Sequence, residues 1–305
     1  MVAVTTPNIK HFSLPRFFYQ QLTYKPFAAK DVDLSGQTAI VTGANTGVGL
    51  EISRQLLDLG ISRLILAVRD QAKGQAAATK LAPTDPSRIE VWHLDLRDYD
   101  SVMAFADRAK SSLTRLDIAV LNAGICPAKR IFNAKTGHDE IIQVNYLSTA
   151  LLAMLLLPVA KACRANQPAP TRITFTSSEF AALAKFKFDL GNEQPILAAL
   201  DKREDRVDTV DRMFVSKLLG HFFLRELARR VPARVAVINA ASPGAIHDSE
   251  FNRDLNGTVS GAVIGAGLRW VGNSSAVGAR MVTDAAVNHG EETHGLFWSF
   301  QKPAA

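Results

Sequence analysis

Short apolar runs recur along this chain, and between them lie longer stretches in which apolar residues return every three or four positions. The first pattern reads as buried strands at residues 38–41, 63–68, 89–94, 116–121, 172–176 and 234–238, with a last short strand at 295–299. The second reads as helices over 48–59, where Ile52, Leu56 and Leu59 share a face, and over 70–81, 101–113, 138–165 and 207–230. Strands that are apolar throughout need cover on both faces, and helices alternating with them along the chain supply it. The prediction is an α/β fold: a doubly wound parallel sheet of about seven strands with helices on both faces.

Two segments stand apart from this pattern. Residues 147–160 are apolar on nearly every face of a helix, which calls for enclosure or self-association. At about 14 residues, interrupted by Ser148, Thr149 and Pro158, the stretch is too short to span a bilayer. Residues 1–30 carry Phe12, Phe17, Phe18, Tyr19, Tyr24 and Phe27 ahead of the first strand. They read as an aromatic arm packed on the core, with a membrane-surface or partner-binding segment as the alternative. The remainder, residues 31–305, is predicted to be a single domain, since 305 residues at 47% hydrophobic and 21% charged suit one large core.

Charge and cysteine usage narrow the class further. Thirty-five basic residues against 29 acidic ones give a formal charge of +6, spread without like-charge runs, so no nucleic-acid footprint is indicated and an anionic cofactor is favoured. Cys126 and Cys163 form no CxxC pair, and no histidine cluster has ligand spacing, which argues against disulfides and against a metal site. Residues 1–8 lack the basic stretch and apolar run of a signal peptide, so a cytoplasmic protein is expected.

The first predicted strand runs into Thr42-Gly43-Ala44-Asn45-Thr46-Gly47-Val48-Gly49 and then into the first predicted helix. Glycines permit the tight turn and the close approach of backbone to a pyrophosphate, whose charge sits at the positive end of the following helix. A glycine pattern alone is weak evidence, but strand, loop and helix in this order are the context that a dinucleotide site requires. The doubly wound sheet is therefore expected to be of Rossmann type.

Further motifs follow in order: Leu94-Asp95-Leu96, Leu121-Asn122-Ala123-Gly124, Val144-Asn145, Thr176-Ser177-Ser178, Ser216-Lys217-Leu218 and Pro243-Gly244. With the glycine loop they resemble the short-chain dehydrogenase/reductase superfamily over about residues 34–300, most of all its retinol-dehydrogenase-like members of fungal type. The resemblance implies cofactor contacts from Gly43, Asn45, Thr46, Val48 and Gly49 at the pyrophosphate and adenosine ribose, and from Asp95 and Leu96 at the adenine. It also implies support from Asn122, Ala123 and Gly124, and contacts of Pro243, Gly244 and Ile246 with the nicotinamide amide. Arg69, just after the second strand, stands where a guanidinium pairs with the 2′-phosphate of NADP(H), so NADP(H) is the expected cofactor; a solvated loop charge is the plainer alternative, and Asp70 beside it argues the other way.

At the chemical step the chain departs from the pattern it resembles. The resemblance implies catalytic positions at Asn145, at Ser178 to hold a carbonyl, and at Lys217 to bind the nicotinamide ribose and lower the pKa of a phenol four residues earlier. Position 213 holds methionine. A thioether has no proton to give, and loss of a positioned general acid costs about 10² to 10⁴ in rate. No other residue stands out as its replacement. Tyr146 and His221 read as packing or structural residues. Arg130, Glu179, Lys185 and Lys187 are candidate pocket residues that by default face solvent, Cys126 is a small packed thiol, and Ser249 is a possible cofactor hydroxyl.

Three functions remain open. One is an NADP(H)-dependent reductase of a bulky apolar small molecule of specialised metabolism, acting on C=O, C=C or an iminium that needs little enzyme-derived acid. The others are a redox-neutral catalyst of isomerisation, cyclisation or cycloaddition, and a non-catalytic cofactor-binding partner. Segments at about 180–206 and 245–271 are the expected substrate loops, long enough to close over a ligand. The apolar helices are expected to pair across a homodimer interface.

Overall fold

The computed structural model describes residues 12–82, 86–185, 195–203, 208–249, 251, 265 and 267–304. Parts of the anticipated substrate segments, residues 186–194, 204–207, 250, 252–264 and 266, lie outside the described residues, as do residues 1–11 of the arm.

Eight strands form one sheet: β1 (Thr38–Thr42), β2 (Arg63–Val68), β3 (Ile89–His93), β4 (Ile118–Leu121), β5 (Thr171–Thr176), β6 (Ala236–Ala241), β7 (Phe297–Ser299) and β8 (Lys302–Pro303). Their order is β3-β2-β1-β4-β5-β6-β7-β8, parallel except for the antiparallel β7–β8 pair. The sequence reading of about seven strands was one short. β8 follows a turn in which Phe300 and Gln301 take φ of 49° and 55°, without the Gly or Asn that marks such a hairpin in a sequence.

Helices cover both faces because alternate residues of each strand point to opposite sides. Ile40, Ala119, Leu121, Ile173 and Ile238 meet α4 (Tyr99–Ser112), α6 (Thr149–Cys163) and α8 (Thr209–Arg230) through Phe105, Leu152, Leu156 and Leu224. Ala39, Val41, Leu64, Leu66, Ile118 and Val120 meet α2 (Gly47–Asp58) and α9 (Ser275–Val287) through Ile52, Leu56, Ala279 and Val282. Helix α3 (Gln71–Leu81) follows β2, with Asp70 capping it by accepting from Lys73 N at 3.1 Å, and the short α7 (Ile196–Leu200) precedes α8.

The helix anticipated over 138–165 is continuous over Glu140–Asn166, entered through α5 (Glu140–Ile142) and a π-helical turn at Gln143–Ser148. By length and composition it is long and apolar enough to cross a membrane, which the shorter 147–160 stretch was not; in the fold half of its most apolar window is buried, with Leu152 and Leu156 against the sheet.

The N-terminal segment contributes α1 (Leu14–Thr23). Phe17 packs on Phe180 and Phe300, and Gln21 exchanges hydrogen bonds with Ala245. Gln301 accepts from the Tyr24 hydroxyl and from Phe27 N, which ties the segment to the turn before β8.

The strand order changes direction between β1 and β4, so the loops that leave their carboxyl ends separate and open a crevice. In open sheets of this type the crevice at that point is where ligands bind.

Candidate active site

The loop after β1 is shaped by contacts that only glycine permits. Gly43 has φ 65°, and a Cβ on Gly49 would lie 2.4 Å from Gly43 O and 2.5 Å from Asn122 Nδ2. Thr42 Oγ1 accepts from the backbone N–H of Asn122 and of Ala123, both at 2.9 Å, while Asn122 Nδ2 donates to Thr42 O. The ends of β1 and β4 are thus clamped together beneath α2. Thr46 caps α2 without a side-chain hydrogen bond, so the first-turn N–H groups remain available to an anion.

These elements border a cavity of about 560 Å³. Gly43, Asn45, Thr46, Val48 and Gly49 line it from the loop and α2, and Asn122, Ala123 and Gly124 from the end of β4. Asp95 and Leu96 line it after β3, and Pro243, Gly244 and Ile246 after β6. Arg69 stands at the rim, exposed, with Lys73 one turn away on α3 also lining the cavity. Asp70, which argued for a ribose hydroxyl, also lines the cavity while its Oδ1 caps α3.

Ser178, Met213 and Lys217 line the same cavity. Met213 lies one turn before Lys217 on α8, and a stacked pair, Phe180 and Phe214 with ring centroids 5.7 Å apart, forms the apolar end together with Phe251 and Leu268. The Lys217 ammonium donates to Thr176 O at 2.8 Å, a neutral partner, and loss of water around it pushes its pKa down to about 8. Ser178 Oγ accepts from Phe180 N, and Cys126 and Ser249 also face the cavity.

Asn145 does not line the cavity; it stands behind the wall. From the π-turn its side chain accepts from Ile125 N at 2.8 Å and donates to Ile125 O and to Ser216 Oγ, and Ser216 Oγ donates to Met213 O. Asn145 therefore joins the strand-end loop to the turn of α8 that carries Met213 and Lys217.

Arg130 and Glu179 are placed differently from their default of facing solvent. Arg130 is enclosed, its Nε 2.7 Å from Asp139 Oδ2 and its other nitrogens on the carbonyls of Leu200 and Lys202. Glu179 accepts hydroxyl hydrogen bonds from Ser242 and Ser299 at 2.5 Å each, and burial raises its pKa against the pull of those two hydroxyls. Lys185 is exposed as anticipated, and Lys187 lies outside the described residues.

Tyr146 packs its ring on Phe223. His221 is buried with Nε2 2.6 Å from Ser177 Oγ, and burial first, then the Lys217 charge, lower its pKa to about 4. Lys73 and the Ser177–His221 pair were not anticipated as features of the site. A helical-turn count from Arg69 reaches the former, whereas the latter joins two distant elements and leaves no trace in local sequence. Among the described residues no group of three His, Cys, Asp or Glu side chains is arranged to hold a metal ion.

A glycine-shaped turn between a strand and a helix, at the switch point of a parallel sheet, is the arrangement of dinucleotide-binding α/β proteins. Comparison with known proteins makes the class specific. Residues 37–188 match the family model of short chain dehydrogenases. The "Short-chain dehydrogenase fogG" of Aspergillus ruber is 45% identical over 296 residues, covering 94% of this chain and 84% of the relative. The "Short chain dehydrogenase/reductase mfmJ" of Annulohypoxylon moriforme is 40% identical over 294 residues, covering 95% and 84%.

The chain belongs to the short-chain dehydrogenase/reductase family and is an oxidoreductase of that family. Solved structures share the fold at lower identity. Salutaridine reductase from Papaver somniferum has a TM-score of 0.64 at 21% identity, covering 86% of this chain and 99% of that one. A short chain dehydrogenase from Shigella flexneri complexed with NADP has a TM-score of 0.61 at 18% identity, covering 90% and 100%.

Proposed function

We propose that this protein is an NADP(H)-dependent reductase of a bulky apolar small molecule, working in the cytoplasm in specialised metabolism, without the phenol acid that the family pattern places at position 213. The observation that carries the reading is the shared cavity: a glycine cradle closed to any side chain at Gly49 lies at one end, and Met213 stands beside Lys217 at the other. The relatives' family supports reduction, and the cradle fits a dinucleotide. Gly43, Asn45, Thr46, Val48 and Gly49 would hold the diphosphate, Asp95 and Leu96 the adenine, and Pro243, Gly244 and Ile246 the carboxamide. Arg69 and Lys73 supply two cations for a 2′-phosphate.

Bound NADPH supplies a hydride. The chain's own residues do the rest: Ser178 Oγ orients the acceptor atom, Lys217 holds a positive charge in a water-poor site, and the phenylalanine pair encloses apolar substrate. Because Met213 donates no proton, the reading favours acceptors that need none from the protein. An iminium becomes a neutral amine on accepting hydride, and a conjugated alkene takes its proton from water. A carbonyl is the third substrate class, slowed by the missing acid.

NADPH oxidation followed at 340 nm with ketone, enone and iminium panels, for the wild type and Met213→Tyr, tests this. The expected result is turnover of enone or iminium by the wild type, and a gain of about 10² or more in ketone turnover for the variant. Conversion of an apolar substrate with no NADPH consumed by either protein would overturn the reading in favour of redox-neutral catalysis. A homodimer through the apolar faces of α6 and α8, where Met154 and Phe222 are 45% and 39% exposed, is part of the same proposal.

A further inference from the structure

Helix α1 has two apolar sides. Phe17 and Gln21 face inward, and Phe17 lies 4.9 Å from Phe180, itself a wall of the cavity. On the outer side Leu14, Phe18 and Leu22 repeat every four residues and stand 40%, 38% and 63% exposed, with Tyr19 at 69% beside them. Phe27, just beyond the helix, is 53% exposed. Leu268 packs into the same cluster as Phe17, and two positions further on Trp270 is 87% exposed. Large apolar and aromatic side chains thus lie open to solvent on both segments whose inner residues, Phe17 and Leu268, pack in one cluster beside the cavity.

The charges around these side chains are predominantly positive, with exposed Asp31 and Asp33 just beyond them. Residues 12–30 include Arg16, Lys25 and Lys30, all exposed, and no Asp or Glu. Exposed Arg269 adjoins Trp270, and exposed Lys302 follows Gln301, which bonds to Phe27 and Tyr24. Apolar and aromatic residues flanked by cations are what an interfacial helix needs to bury one side at the acyl boundary while its charges meet anionic headgroups. A second copy of this chain fits less well. Closing the patch on itself would bring Arg16, Lys25 and Lys30 of two protomers toward each other around a two-fold axis.

We propose that the outer face of α1, with Phe27 and Trp270, docks on an anionic phospholipid surface and presents the apolar end of the cavity to the lipid. The sequence contains three tryptophans, and the other two, Trp92 and Trp298, are 1% and 7% exposed, so Trp270 is a built-in reporter.

The test uses the full chain with vesicles of phosphatidylcholine alone or mixed with phosphatidylserine, reading tryptophan emission and vesicle flotation. Expected are a blue shift and co-flotation with the serine-lipid vesicles that weaken in high salt, and partitioning reduced about tenfold or more in Phe18→Ser/Tyr19→Ser/Leu22→Ser. Trp270→Phe should abolish the shift while leaving flotation, and thermal unfolding of each variant checks that it is folded. Absence of binding to either vesicle by the folded wild type would overturn the proposal, as would concentration-dependent dimerisation that the triple variant abolishes.

Discussion

His221 offers a prediction whose size follows from its surroundings. In the fold its pKa is lowered from the ordinary 6.5 to about 4, by burial and by the charge on Lys217. The unfolded chain takes up a proton near pH 6.5 that the folded chain refuses until about pH 4. Stability linked to His221 is therefore complete at neutral pH and drains away as pH falls through this window. The loss amounts to about 2 kcal/mol at about pH 5 and about 3 kcal/mol at about pH 4.

His221→Gln removes the titration, and its amide can still reach the Ser177 hydroxyl that His221 Nε2 meets at 2.6 Å. Urea unfolding at a series of pH values for both proteins gives the difference directly, and the titration of carboxylates common to both cancels. The wild type should lose ground relative to the variant by about 2 kcal/mol between about pH 7.5 and about pH 5. A difference that stays constant across that range would mean that His221 titrates in the fold as it does in the unfolded chain, against a buried, lowered pKa.

Two further substitutions probe the site and its frame. Gly49→Ala places a methyl against Gly43 O and Asn122 Nδ2, so we expect a loss of about 1–3 kcal/mol in stability and about tenfold or more in NADPH affinity, read by calorimetry; an unchanged affinity would contradict the cradle. The folded-state pKa of Glu179 is raised, so its contribution is present below the unfolded value and lost as pH rises through the folded one. Glu179→Gln should therefore gain melting temperature relative to the wild type at about pH 8 and lose that gain at about pH 4, whereas an equal difference at both would contradict the assignment.

Local pattern carried the β1–loop–α2 unit and the i, i+4 relation of Met213 to Lys217, because both are set by neighbours in sequence. The face of each strand was legible for the same reason: Ile40 and Val41 reach opposite cores by simple alternation. Helix α9 was missed because its buried positions include Ser275, Thr283 and Asp284, so no polar face contrasts with an apolar one. Strand β8 rests on positive φ at Phe300 and Gln301, residues that carry no turn signal. Glu179 was expected in solvent because its partners, Ser242 and Ser299, arrive from the ends of two later strands. The bonds of Asn145 to Ile125 and Ser216 join residues distant in sequence, so no local pattern showed them.

The cofactor preference is read by calorimetric titration with NADPH and with NADH, on the wild type and on Arg69→Ala. Expected are saturable binding of NADPH, weaker binding of NADH, and a loss of about tenfold or more in NADPH affinity in the variant that leaves NADH nearly unchanged. Binding of neither dinucleotide by the folded wild type would contradict that preference, and so would NADH binding more tightly than NADPH.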